Sequence, residues 1–142
     1  MRHLLLWLFS LLAVSIGRAQ TLTEPQAAFD QAQALDRPVL LVFSGSDWCA
    51  PCIHLERQVL ADSVFQRYAA GHIVVLKADF PQQTKLSPTL LAAYERLADA
   101  YNREGAFPKL VVISPDRSRV TPLSSFRQTP ATLVAQLRRL LP

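Results

Sequence analysis

Cys49 and Cys52 are the only two thiols in a chain of 142 residues, and they stand three apart in the stretch Gly45-Ser46-Asp47-Trp48-Cys49-Ala50-Pro51-Cys52. Three chemistries use such a pair: thiol–disulfide exchange, metal ligation, or a structural bridge. Residues three apart on a helix share a face, close enough for two sulfurs to bond without moving the backbone. A bridge around so short a loop removes little loop-closure entropy from the unfolded chain, which argues against a purely structural role. A metal needs more ligands. His54 is close in sequence, yet at about 100° per residue it points about 160° away from Cys52 around the helix axis. His72 is distant along the chain and His3 belongs to the N-terminal segment considered below. A soft copper site completed by a distant histidine stays open as one alternative. A redox-inactive binding or assembly module stays open as another. No resident metal or cofactor is expected.

The elements around the pair decide which sulfur reacts. Residues 39–43, Val-Leu-Leu-Val-Phe, form a continuous apolar run, the pattern of a strand covered on both faces. It ends just ahead of the motif, and a helical stretch follows to about residue 61. Such strand-to-helix connections often carry functional sites in α/β sheets. Cys49 then lies at the helix N-terminus, where unpaired amides and the helix dipole favour the thiolate. Cys52 shares a stripe with Leu55 and Val59, so its thiol is expected to point inward and Cys49 to sit at the open end. Pro51 suits the first turn, where its missing N–H costs nothing. This asymmetry makes Cys49 the attacking sulfur and Cys52 the resolving one.

Elsewhere, Thr23, Pro25 and Gln26 read as a capped helix start, with the helix reaching about Leu35. Asp62 and Ser63 open a short helix through Ala70. Residues 73–76 and 110–113 are two further buried strands, and the polar residues 81–87 form a solvated connector. From Pro88 to about Arg103, Leu90, Tyr94, Leu97, Ala98 and Tyr101 keep helical spacing. A short strand is expected near Val120 and a closing helix over residues 130–141. Buried strands separated by helices predict a single α/β domain: a central mixed sheet of four or five strands with helices on both faces.

Half of the residues are apolar, enough for a real core. The first residues differ from the rest. Met1-Arg2-His3 is basic, residues 4–16 are almost wholly apolar, and Gly17 and Ala19 are small residues ahead of Gln20. This is a signal-peptide pattern, dividing the chain into a leader, 1–19, and a domain, 20–142. The run falls short of the roughly 20 apolar residues of a membrane helix, with an uncleaved anchor as the alternative. Export, to the periplasm of a bacterium, would leave the two cysteines paired with each other. Loss of Arg2 and Arg18 leaves 13 basic residues against 11 acidic ones, a net charge of about +2. With no basic cluster interleaved with aromatics, no nucleic-acid partner is expected. A monomer is.

On these residues the chain resembles the thioredoxin family. The resemblance rests on the strand ending at Phe43, on Trp48-Cys49-Ala50-Pro51-Cys52, and on Phe107-Pro108 ahead of the strand at 109–113; it covers residues 34–141. The pattern "FSGSDWCAPC…DFP" is similar to that of a group of exported bacterial thioredoxin-like proteins. The resemblance implies a thioredoxin-like fold and an exported thiol–disulfide oxidoreductase that reduces or exchanges disulfides of protein partners, served by a membrane electron donor or acceptor. It implies that Pro108 is a cis-proline beside the cysteines, and that Trp48, Phe107 and Pro108 meet the substrate chain. Three positions depart from the family. Val42 takes the place of a buried aspartate that assists proton transfer. Ala50-Pro51 replaces Gly-Pro; with no histidine between the cysteines, this pair favours a reductant or isomerase-like role over a strong oxidant. Lys109 replaces the usual threonine after the proline and is expected to be solvated. Asp47 is expected to cap its own turn, and Trp48 either to form an apolar rim or simply to pack.

Overall fold

The three apolar runs become the three central strands of a five-stranded sheet. The structure, a computed structural model, describes residues 17–141; the apolar run at 4–16 and its leader pattern lie outside them. In chain order the elements are β1 (Thr21–Leu22), α1 (Pro25–Leu35), β2 (Val39–Ser44), α2 (Ala50–Leu55), a π-helical continuation (Glu56–Leu60), α3 (Ser63–His72), β3 (Val74–Asp79), α4 (Pro88–Tyr101), β4 (Lys109–Ile113), β5 (Val120–Leu123) and α5 (Pro130–Leu140). The strand order is β1-β3-β2-β4-β5. Strands β1 and β2 run parallel to β3, while β4 is antiparallel to both β2 and β5. The expected mixed α/β sandwich is therefore the observed one.

Alternation along each strand divides the core into two layers. Leu40, Val42, Val75, Leu110 and Val112 face α3, α5 and the helix after the motif, packing on Leu55, Val59, Phe65 and Leu137. Val39, Leu41, Phe43, Leu76 and Val111 face α1 and α4, packing on Ala28, Phe29, Tyr94 and Leu97. Both faces of the sheet are covered, which is why β2 is apolar at consecutive positions.

Four details differ from the sequence reading. The fifth strand, β1, is only two residues long and carries no periodic signal of its own. Helix α1 is capped at Glu24, without a side-chain bond, because Pro25 occupies the first turn; the Thr23 carbonyl instead accepts from the Tyr94 hydroxyl at 2.7 Å. The helix after the motif changes to π geometry at Glu56, with the Ala61 amide donating to the Glu56 carbonyl at 2.9 Å, so that consecutive Val59 and Leu60 are both buried. Strand β3 continues past its apolar run through Lys77 to Asp79, and those added residues reach the cysteine motif.

The core assignment predicts a contrast between two phenylalanines. Phe43→Ala, in the layer facing α1 and α4, should destabilise the fold by about 3–5 kcal/mol. Phe126→Ala, at a side chain 75% exposed, should change it by less than about 0.5 kcal/mol. Urea unfolding midpoints of the two variants check both values.

Candidate functional site

The central strand ends at Ser44, and the site is built on the five residues that follow. The Cys49 amide donates to the Gly45 carbonyl at 2.9 Å, closing a tight turn. A methyl group built on Gly45 would run into the indole of Trp48, so the turn requires glycine there. Cys49 is the N-cap of α2, with extended backbone angles, and Pro51 lies in the first turn. The Cys49 sulfur accepts from the Cys52 amide at 3.3 Å, satisfying one of the helix's free donors.

Cys49 and Cys52 form a disulfide with 5.2 Å between Cα atoms, within the normal range for such bridges. Cys52 points inward as expected, at 1% exposure. Cys49 is not at a fully open end: it is only 5% exposed. Trp48, Phe107 and Phe80 form a cluster of aromatic rings beside the motif. The Trp48 ring meets Phe107 edge-on at 5.5 Å between centroids, and Phe80 meets Phe107 likewise at 5.7 Å. Trp48 packs on Phe107 and is 42% exposed.

The Phe107–Pro108 peptide bond is cis, as the resemblance implies. Lys109 pairs with Phe43 in the β2–β4 ladder, which puts Pro108 level with Ser44, at the foot of the cysteine turn. The approach to it is clamped by Asn102, a buried residue that sequence reasoning passed over. Its side chain donates to the Ala106 carbonyl and accepts from the Ala106 amide, both at 2.9 Å. Gly105, with φ of 65°, supplies the left-handed backbone within that clamp. Lys109 is not simply solvated: its side chain is mostly covered and its ammonium donates to Glu104. That bond holds the Glu104 carboxyl below its ordinary range.

The far side of the turn is held by the polar end of β3. Asp79 accepts from the Ser46 amide at 2.8 Å and from the Ser46 hydroxyl at 2.5 Å. The Phe80 amide donates to the Ser44 carbonyl at 2.8 Å, and the Trp48 indole N–H to the Phe80 carbonyl at 2.7 Å. Asp47 does not cap its own turn. Its carboxylate accepts from the amides of Gln82 and Gln83, at 2.9 and 2.7 Å, and so pins the connector between β3 and α4 against the motif. A signal for this was present in Asp79, a lone acid closing an apolar strand, but not for its partner Ser46.

The two histidines among the described residues are not gathered at the site. His54 is exposed, and His72 stacks on Tyr68 in α3, 4.4 Å between ring centroids. Among the described residues no three histidine, cysteine, aspartate or glutamate side chains converge as metal ligands. The arrangement that is present suits exchange: a thiolate at a helix N-terminus attacks a disulfide, and a second thiol within bonding distance displaces the product.

Comparison with known proteins agrees with this geometry. The sequence model of a family described as thioredoxin-like matches residues 21–115. The disulfide bond reductase DsbH of Chlamydia pneumoniae is 33% identical over 89 residues, which cover 63% of this chain and 53% of that protein. The chain thus spans about half the length of that curated relative. A solved DsbH oxidoreductase structure superimposes with a TM-score of 0.76 at 27% identity, covering 86% of this chain and 85% of that one. A thioredoxin from Thermus thermophilus shares the fold, with a TM-score of 0.62 at 22% identity over 87% of each chain.

Acid should loosen the connector. The two backbone amides hold the Asp47 carboxyl below its ordinary value of 3.8. A lowered folded-state value stabilises the attached form above the unfolded value, and that stabilisation is lost as pH falls through the lowered one. Between about pH 5 and about pH 2, the amide proton shifts of Gln82 and Gln83 should therefore titrate together with a midpoint below 3.8. Asp47→Asn should abolish that titration in the NMR spectrum.

Proposed function

The chain belongs to the thioredoxin-like family, and from that premise we propose that it is an exported thiol–disulfide oxidoreductase acting on protein partners, with Cys49 attacking and Cys52 resolving. The observation that carries this is the placement of the disulfide: Cys49 caps α2 while Cys52 is sealed one turn inside it. A thiolate formed at Cys49 is stabilised by the amides and dipole of the helix. The resolving thiol is protected from solvent and held on the same face, so a mixed disulfide at Cys49 is short-lived.

In the reducing direction, the Cys49 thiolate attacks a partner disulfide, forms a mixed disulfide and releases one partner thiol. Cys52 then attacks the Cys49 sulfur, closes the internal disulfide and releases the second. A membrane donor returns two electrons. Trp48, Phe107 and Pro108 form the docking surface, with the backbone at Phe107 pairing with the partner chain. The Ala50-Pro51 pair and the relative named as a disulfide bond reductase both support reduction over oxidation. The basic and apolar N-terminal residues support export, with the working domain beginning at Gln20.

Cys52→Ser should accumulate mixed disulfides through Cys49, visible as high-mass species that collapse on reduction; Cys49→Ser should form none. Trapping by neither variant would overturn the oxidoreductase reading. Equilibration with glutathione should place the potential nearer to thioredoxin's, about −270 mV, than to the −120 mV or so of a strong oxidant. A value at the oxidising end would reverse the direction.

A further inference from the structure

The cysteines occupy one end of the sheet, and the opposite end carries a feature that the exchange reaction does not use. There β2 begins after Pro38, β4 ends at Ile113 and β5 begins at Val120. The last residues of α1, α3 and α5 meet at the same end, around a cavity of about 770 Å³. Small-molecule sites typically enclose about 300–1,000 Å³. The six residues of β2 separate this cavity from the cysteine turn. A strand of that length spans roughly 17–20 Å, so the cavity is remote from the reacting sulfurs.

Its lining joins cations to apolar surface. Arg37, Arg119 and Arg138 line it against a single carboxylate, that of Asp36. The ion pairs among the described residues are Lys77–Glu56 and Lys109–Glu104, so none of these three guanidiniums has an acidic partner there. Leu35, Val112, Leu140 and Leu141 supply the apolar part, and Leu35 is 45% exposed.

Cations at helix C-termini often do no more than satisfy the last carbonyls. Here most of those carbonyls are taken by other groups. The Ala32 and Gln33 carbonyls of α1 accept from the amides of Arg37 and Asp36, Ala69 of α3 from the Ile73 amide, and Leu137 of α5 from the Leu141 amide. The Tyr68 carbonyl accepts from the His72 ring at 2.7 Å. Arg37 alone serves in that way, donating to the Ala70 carbonyl at 3.0 Å. Arg138 instead lies over the Tyr68 ring, 5.6 Å from its centroid, and Arg119 is exposed.

Tyr68 points to a ligand independently of these charges. It is only 7% exposed, with the His72 ring stacked on it. Its hydroxyl has no hydrogen-bond partner among the described residues, yet it is not sealed away from the cavity. Burial raises the phenol above its ordinary pKa of 10.0, against the opposing charge of Arg138. Buried tyrosine hydroxyls usually find a partner, and an oxygen held in the cavity would supply one.

We propose that this cavity binds a small organic anion, an oxyanion group such as carboxylate or phosphate carried on an apolar body. The guanidiniums of Arg119 and Arg138 hold the oxyanion, the Tyr68 hydroxyl donates to it, and Leu35, Leu140 and Leu141 cover the apolar part. Guanidinium suits this task because it grips such a group through two parallel N–H bonds and keeps its charge. Arg37, already fixed to α3, adds positive field. The site is separate from the cysteines and does not depend on the oxidoreductase reading.

Phenyl phosphate is the probe, followed through the backbone amide shifts of isotope-labelled protein. It should move the amides of Arg37, His72, Ser114, Arg119 and Leu141 along one saturating curve and leave those of Trp48 and Cys49 in place. Inorganic phosphate and benzyl alcohol each carry half of that chemistry, and each should bind at least about tenfold more weakly. Arg119→Gln and Arg138→Gln should each weaken phenyl phosphate by about tenfold, and Tyr68→Phe by about threefold. Unchanged shifts away from the cavity show that each variant is folded. Phosphatidylglycerol vesicles, which present phosphate on a lipid, form the second arm. A response to vesicles without one to phenyl phosphate overturns the small-ligand proposal. So does an affinity for inorganic phosphate equal to that for phenyl phosphate, an absence of saturable shifts at these amides, or full affinity in Arg119→Gln.

Discussion

The ladder that joins β2 to β3 on one side and β4 on the other holds the site together. Those bonds fix Ser44 level with Asp79 and place Pro108 beside it, so the ends of three strands arrive at one level. Each then contributes one part of the site: β2 the cysteine turn, β3 the carboxylate that holds Ser46, and the approach to β4 the Phe107–Pro108 bond. A slip of one residue in either pairing would turn Val42 and Phe43 to opposite layers and pull these parts away from one another. The two apolar layers make such a slip costly, because every buried side chain of the central strand would change faces. Positioning at the site is therefore set by packing well removed from it.

Within that frame, short polar contacts do the local work. Asp79 holds the turn, Asp47 holds the connector, and Asn102 closes the segment before Phe107. All three bind backbone amides, so each fixes main chain and leaves the reactive sulfurs unencumbered. The aromatic cluster of Trp48, Phe80 and Phe107 covers the remaining flank with apolar surface. Trp48 itself remains 42% exposed.

The layout of strands and helices was legible because the core is two-sided: runs such as residues 39–43 and 110–113 carry no polar interruption. Cys49 and Cys52 were legible from their spacing, and Phe107-Pro108 from the resemblance together with its place ahead of a strand. What escaped notice was polar and long-range. Lys77 and Asp79 lie beyond the strand expected at residues 73–76, because the apolar run ends there while the ladder continues. Asn102 and Gly45 are single residues whose importance lies in what they face. Burial patterns are written locally in a sequence, whereas pairings between polar groups are not.

The two outer strands have a consequence for how another chain can approach. β1 is two residues long, and β5 carries Pro122, which has no amide hydrogen to offer. Both sheet margins are thus poor templates for an added strand. A chain that docks through its backbone is steered away from the margins. Lateral stacking of one copy's sheet on another's is hindered for the same reason. That is a form of self-protection written into the ends of the sheet.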